Sequence, residues 1–400
     1  MVSVAPVSMT STTAVTGNPW IGVVGGGQLA RMLVQAAHAR DVAVLVQTAS
    51  ADDPAAKLAD AVLEADPNNA QATQGFLGRC GGITFENEWV SIDALAALER
   101  KGACFWPSLI SLQPLVNKLH QRQLLDQLAI PSPAWVELKA IDPGTPALPK
   151  GWSFPVMAKA ATGGYDGKGT QVIRSVDCLA ELLRSVDPDN WLLERWVDYE
   201  RELALVVSRD QSGRVRALPL VETQQSEQVC DWVLAPAVVD QLVEATAYNI
   251  AASLLTKLDY VGVLAIEMFY GPEGLLVNEI APRTHNSGHF SIEACKSSQF
   301  DQQLCIAAGL DVPDPELNVP GALMVNLLGL AAGQAAPLEQ RLAALQADAS
   351  LHLHWYDKQG ESEGRKLGHV TVLLSGADAE TRRREAMNAL EKVRSIWPLP

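Results

Sequence analysis

A strand, a glycine turn and a helix follow one another between Trp20 and Ala37, and few motifs restrict a fold more tightly. Trp20 to Val24 is a short apolar run, Gly25-Gly26-Gly27 follows it, and Leu29, Met32, Leu33, Ala36 and Ala37 then recur at helical spacing. A second apolar run, Val42-Ala43-Val44-Leu45-Val46-Gln47, comes next. Strand, helix and strand in this order predict a parallel α/β sheet. "GGITFENEW" (81–89) predicts a further strand whose end carries acids. The spacing Gly25-x-Gly27-x-x-Ala30 also fits the fingerprint of a dinucleotide site. Such a site needs an acid closing the second strand, but this strand closes on Gln47 and Thr48, with Asp52 and Asp53 only later. The turn suits a phosphate or simply close helix–strand packing. It is a poor nicotinamide address.

Downstream, the helical pattern of "LVNKLHQRQLLDQLAIPSP" stops at Pro131 and Pro133. Strand patterns follow at 154–160, 170–174, 191–197, 202–208 and 215–221, then a helix over about 238–258. Strands 261–270 and 275–280 are separated by Pro272-Glu273-Gly274, which predicts a hairpin with a three-residue loop. "GLDVPDPELNVPG" (309–321) reads as a boundary, followed by an Ala/Leu-rich helix, the strand "LHLHWY", a glycine-rich basic loop and the strand "HVTVLLS". At 400 residues the chain has room for two or three domains. A net charge of −15 argues against a general binder of nucleic acid or acidic membranes, so an anionic ligand must meet local basic clusters. Cysteines 80, 104, 178, 230, 295 and 305 form no Cys-x-x-Cys pair, which predicts free thiols and a cytoplasmic protein. Residues 1–19 carry no charge and lack the marks of a signal or transit peptide. They read as a disordered tail, with Met9 an alternative start.

Chemistry concentrates in four places. "KAATGGYDGKGTQV" (159–172) sets four glycines among Tyr165, Asp166 and Lys168. Its backbone N–H groups can converge on phosphate, and the loop can close as a lid. Lys159, on the preceding strand, is placed to neutralise phosphate charge, although a plain glycine hairpin with a solvated lysine would look the same. In the later hairpin, alternation puts Glu267 and Glu279 opposite each other on one face, among apolar neighbours. Facing carboxylates repel unless a cation or a shared proton lies between them. Magnesium fits best, because it takes one or two carboxylates and completes its shell with nucleotide phosphates; Asn278 can add an oxygen. "APRTHNSGHF" gathers Arg283, His285, Asn286, Ser287 and His289, and "YDKQGESEGRKLGHV" gathers Lys358, Arg365 and Lys366 as a phosphate site. His352 and His354 share a strand face without a third ligand and read as structural.

Four of these motifs together carry a resemblance. Gly-Gly-Gly-Gln-Leu-Ala-Arg-Met, Gly-Gly-Tyr-Asp-Gly-Lys-Gly, Val-Asn-Glu-Ile-Ala-Pro-Arg-x-His-Asn-Ser-Gly-His and Gly-Arg-Lys-x-Gly-His occur in order across residues 20–375. They resemble the N5-carboxyaminoimidazole ribonucleotide synthetases, ATP-grasp enzymes of purine synthesis. The resemblance implies an ATP-grasp α/β fold: an N-terminal Rossmann-like domain (20–115), an ATP-grasp domain (116–320) with a lid at about 135–205, and a C-terminal domain (321–400). It implies that ATP, bicarbonate and 5-aminoimidazole ribonucleotide give the N5-carbamate, ADP and phosphate through carboxyphosphate, in a homodimer. Lys118 and Lys159 would meet the nucleotide phosphates, with Gly164, Gly167, Gly169 and Thr170 in the closing loop. Glu194 would accept from the adenine amino group, Arg195, Trp196 and Val197 would offer backbone contacts, and Glu202 would bind the ribose. Glu267 and Glu279 would hold Mg2+, beside Asn278. Tyr165, Asp166, Lys168, Arg283, His285, Asn286 and Ser287 would surround the reacting groups.

Gln28, Leu29, Glu86, Lys358, Arg365 and Lys366 would hold the ribonucleotide, with Glu86 favoured over Glu88. Gln225 stands where relatives carry a histidine near ATP, and it cannot become cationic. Three rival readings frame the test. A formate-dependent glycinamide ribonucleotide transformylase would share the metal pair but not the bicarbonate dependence. An oxidoreductase would bind NAD rather than ATP. A silent ATP binder would not need both metal acids.

Overall fold

The computed structural model describes residues 20–164 and 169–400. Tyr165, Asp166, Gly167 and Lys168, and the N-terminal tail 1–19, lie outside the described residues. The first sheet holds β1 (Trp20–Val24), β2 (Ala43–Thr48), β3 (Ala61–Glu64) and β4 (Gly82–Phe85) in the order β3-β2-β1-β4, all parallel. The order reverses direction at β1, because β2 lies on one side of it and β4 on the other. A crevice opens at the carboxyl ends of strands at such a point. Gly25 (φ 112°) turns the chain there, into the helix Gln28–His38.

A second sheet is antiparallel, in the order β5-β8-β6-β7, with β5 Trp135–Glu137, β6 Val156–Ala160, β7 Thr170–Ile173 and β8 Trp191–Arg195. The third holds nine strands. Its first part comprises β9 (Arg201–Arg209), β10 (Val215–Ala217), β11 (Val221–Ser226), β12 (Val229–Ala235), β13 (Gly262–Gly271) and β14 (Gly274–Ala281). β15 (Gly321–Leu328), β16 (His352–Trp355) and β17 (Lys366–Leu374) continue it, in the order β14-β13-β9-β11-β12-β15-β17-β16, with β10 on β9. The C-terminal strands therefore extend the central sheet through the β12–β15 pairing.

Two local expectations change. The single strand expected at 215–221 divides into β10 and β11, because Pro219 lacks the N–H that a continuous ladder needs. The hairpin loop is Pro272-Glu273, since Gly271 pairs with Gly274. The expected facing of Glu267 and Glu279 survives only because a bulge between Glu267 and Met268 absorbs one residue, Asn278, on β14.

The helix Gln299–Ala308 locks the parts together. Phe300 and Leu304 pack into one core with Leu29 and Leu33 of the first helix and with Val23, Val44 and Val46 of the first sheet. Ser298 and Asp301 form a capping box at its start, and Arg40 reaches from the first domain to Asp301.

Candidate active site

The bulge on β14 shapes the centre of the site. Consecutive residues in a regular strand point to opposite faces, but a bulge turns two neighbours toward one side. Asn278 Oδ1 accepts from Lys159 Nζ at 2.9 Å while Glu279 Oε1 pairs with Lys118 Nζ at 2.5 Å. Across the hairpin stands Glu267, in register with Glu279. Burial first, then the Glu279 charge, raise the Glu267 carboxyl to about 7. Burial pushes Glu279 the same way, but Lys118, Lys159 and Arg283 together outweigh it and hold that carboxyl at about 2. Lys118 sits directly on Glu279, while Glu267 keeps a raised carboxyl beside it, an electrostatic demand that a divalent ion between the two would meet. Among the described residues no cluster of three or more His, Cys, Asp or Glu could hold a metal. Two carboxylates and an amide, completed by phosphate oxygens, suit Mg2+.

β14 is an edge strand, and side chains from the helix Lys118–Gln127 cover its open backbone. Gln121 donates to Ile280 O (2.9 Å) and accepts from Ile280 N (3.1 Å), as a neighbouring strand would. Arg122 donates to the consecutive carbonyls of Val277 and Asn278, which fixes the bulge. The same guanidinium meets Glu194 at 2.6 Å, and Lys159 takes the other Glu194 oxygen at 2.7 Å. Burial would raise the Glu194 carboxyl, but Arg122 and Lys159 hold it below the usual range. Burial also lowers the Lys159 ammonium, against the pull of Glu194. Both Glu194 oxygens are thus engaged inside the protein. Gln121 and Arg122 were not singled out in the sequence, although they follow Lys118 at i+3 and i+4 and so share its helical face.

The loop after β14 faces the carboxylate pair. His285 Nε2 lies 3.3 Å from Glu267 Oε1, while its Nδ1 accepts from the Ser287 N–H at 3.3 Å and meets Ser287 Oγ at 2.9 Å. This leaves the ring proton on Nε2, aimed at Glu267. Arg283 Nε meets Glu88 at 2.6 Å, so the acid expected to be secondary is the one that fixes this arginine. Asn286 exchanges two hydrogen bonds with the buried amide of Asn326, which spends its side chain on holding the loop.

At the switch point, Glu86 accepts from the N–H groups of Gly27 (2.6 Å) and Leu29 (3.3 Å). The Leu29 N–H thus faces Glu86, and the Leu29 side chain lies in the core. Burial raises the Glu86 carboxyl, opposed by those N–H groups and by the charge of Lys358. Gln28 is half-buried at the start of the helix. The basic loop spans the cleft, since Lys358 acts on Glu86 and Lys366 acts on Glu267. Lys358 also donates to Lys366 O, and the exposed Arg365 donates to Gln359 O.

Toward the second sheet, Glu202 accepts from Tyr199 Oη at 2.6 Å and from Gln225, and burial raises its carboxyl. Thr170 Oγ1 reaches Gln228. Gly164 and Gly169 flank residues 165–168, and Gly169 has φ 78°. Arg195 pairs with Glu273 at the hairpin tip, ahead of the exposed Trp196 and the half-buried Val197.

A parallel domain, an antiparallel sheet with a glycine-rich connection, and a hairpin with facing acids beside Lys118 and Lys159 define an ATP-grasp enzyme. Residues 19–113, 123–300 and 322–384 match, in turn, the ribonucleotide synthetase preATP-grasp domain, the ATP-grasp domain and the phosphoribosylaminoimidazole carboxylase C-terminal domain. The chain belongs to the N5-carboxyaminoimidazole ribonucleotide synthase family: it is 45% identical to that synthase of Synechococcus elongatus over 95% of this chain and 96% of the relative. Among solved structures, the Aspergillus clavatus synthase in complex with ADP and 5-aminoimidazole ribonucleotide superposes with a TM-score of 0.82. It is 29% identical, covering 94% of this chain and 99% of that one. The Staphylococcus aureus synthetase complexed with ADP gives 0.81 at 29% identity, covering 93% and 96%.

Proposed function

We infer that the chain carboxylates 5-aminoimidazole ribonucleotide with bicarbonate, using ATP, to give N5-carboxyaminoimidazole ribonucleotide, ADP and phosphate. The observation that carries this reading is the Glu267–Glu279 pair beneath Lys118 and Lys159, with Arg283 and His285 facing it. Lys118 and Lys159 hold the ATP phosphates and offset charge as the terminal phosphoryl group passes to bicarbonate. Glu267 and Glu279, with Asn278, would hold Mg2+, which supplies further charge neutralisation on the phosphoryl oxygens.

Backbone groups of Arg195, Trp196 and Val197 take the adenine, with Glu194 behind them; Glu202 takes the ribose, and Gln225 supports Glu202. The 163–169 loop, with Tyr165, Asp166, Gly167 and Lys168, would close over the phosphates and exclude water from carboxyphosphate. Arg283, His285, Asn286 and Ser287 orient the bicarbonate-derived carboxyl for attack by the exocyclic amine. Gln28, Leu29, Glu86, Lys358, Arg365 and Lys366 frame the ribonucleotide, Glu86 and Leu29 acting through the loop they shape. The domains divide this work as 20–115, 116–320 and 321–400.

The six free cysteines support a reducing, cytoplasmic setting, and among the described residues no helix is long and apolar enough to cross a membrane. We place the enzyme there as a homodimer, which light scattering on the purified chain tests. Incorporation of 13C-bicarbonate into a carbamate on the ribonucleotide, followed by NMR, tests the reaction. A formyl product from formate, with no carbamate, would replace this reading by the glycinamide ribonucleotide transformylase.

A further inference from the structure

One buried glutamine organises the loop that carries His285. Gln299 is fully buried in the first turn of the helix Gln299–Ala308. Its Oε1 accepts from the His285 N–H at 2.8 Å, and its Nε2 donates to His285 O at 2.7 Å. The second Nε2 proton points to His289 Nδ1 at 3.0 Å. Burial drives the His289 imidazole well below its ordinary pKa, so it is neutral and its Nδ1 accepts. Beneath the loop, a Cβ at Gly288 would lie 2.7 Å from Gln299 Cδ and Oε1. The backbone thus lies directly on the glutamine, and only glycine fits between them. The loop itself has few alternatives, because Asn286 is tied to Asn326 and Ser287 to the His285 ring.

We propose that Gln299 is a positioning residue for the reaction: by clamping both backbone polar groups of His285, it sets where the imidazole stands between Glu267 and the ribonucleotide. This rests on the functional reading above. An amide suits the task because one side chain supplies one acceptor and two donors in fixed geometry, and all three are used here. A glutamate would keep the acceptor but lose both donated bonds. A leucine of similar size would lose all three. Catalysis is sensitive to such displacement, since a shift of about 1 Å at a reacting group lowers rates by about 100-fold.

The neighbouring Gln302 supplies the control. It is equally buried on the same helix and makes three hydrogen bonds, to Ser208, Ser297 and Pro313, away from the His285 loop. In the full chain, Gln299→Leu is expected to lower kcat/KM for 5-aminoimidazole ribonucleotide by about 10- to 100-fold, with the KM for ATP changed by no more than about twofold. Gln299→Glu should fall between wild type and Gln299→Leu, and it carries the test if the leucine variant does not fold. Gln302→Leu, at comparable folded content, should stay close to wild type. Wild-type kcat/KM in either Gln299 variant, or an equal loss in Gln302→Leu, overturns the proposal.

Amide exchange over residues 283–290 provides an arm independent of turnover. Faster exchange in the Gln299 variants alone supports the clamp, and unchanged exchange refutes it. A wild-type chain that released no ADP with this ribonucleotide would instead remove the functional reading and leave the exchange arm to judge Gln299.

Discussion

Lys118 Nζ lies 2.5 Å from Glu279 Oε1, and this contact decides which carboxylate of the facing pair carries charge. Glu279 is held at about 2, and its charge helps to raise Glu267 to about 7. Replacing Glu279 by Gln removes the anion while preserving shape. The Glu279→Gln enzyme should fold normally by circular dichroism and lose at least about 100-fold in turnover, as for loss of a preorganised charge at a transferring phosphoryl group. Retained activity would contradict the assignment of the pair to the nucleotide site.

Arg122 joins three elements, because one guanidinium reaches Glu194 of β8 and the carbonyls of Val277 and Asn278 on β14. Arg122→Met should destabilise the protein by about 3 kcal/mol, since it leaves one Glu194 oxygen and two carbonyls buried without a partner while Lys159 keeps the other oxygen. Urea denaturation at neutral pH measures this. The matched variant Arg122→Met with Glu194→Gln should recover part of the loss, and no recovery would show that the pair is not coupled.

Gly27 is pressed against Glu86: a Cβ there would lie 2.3 Å from Glu86 Oε1. Gly27→Ala should therefore disturb the loop and weaken the ribonucleotide more than ATP. Calorimetric titration with each ligand separates the two, and equal weakening of both would argue against a ribonucleotide site at this turn. Glu88→Gln, which frees Arg283, should instead raise the KM for bicarbonate, and an unchanged value in steady-state kinetics would contradict that role.

Asp210 gives a pH-dependent stability term away from the site. Although burial opposes it, bonds from Ser212, Arg216 and the Arg214 N–H lower its carboxyl from 3.8 to about 2. A depressed folded-state pKa adds stability above the unfolded value and loses it as pH falls through the folded one. Asp210→Asn should cost about 2 kcal/mol at pH 7, shrinking progressively between about pH 4 and pH 2. A penalty independent of pH in denaturant titrations would contradict the ion-pair assignment.

The elements legible in the sequence were those whose periodicity and punctuation agree. The Trp20–His38 strand–turn–helix could be read from apolar periodicity and glycine spacing alone, whereas the facing of Glu267 and Glu279 was read from a three-residue loop that is in fact two residues long, with the bulge making up the difference. β12, β15 and the last helix, Ala379–Ile396, could not. "CDWVLA" and "GALMVNLL" are short apolar runs whose strand character comes from pairing with distant chain. The bulge at Asn278 was hidden because its determinant, Arg122, lies far earlier in the sequence and acts on carbonyls rather than side chains. Glu86 and Glu88 sit two residues apart in one acidic stretch. Only the fold shows that the first supports the glycine turn and the second holds Arg283.

Coupled ADP release from the purified chain, with ATP, bicarbonate and 5-aminoimidazole ribonucleotide omitted in turn, tests the carboxylation itself. Rapid release is expected only with all three present, with loss of nearly all of it when the ribonucleotide or bicarbonate is withheld. ADP release that is indifferent to bicarbonate, or that requires formate and glycinamide ribonucleotide instead, would contradict it.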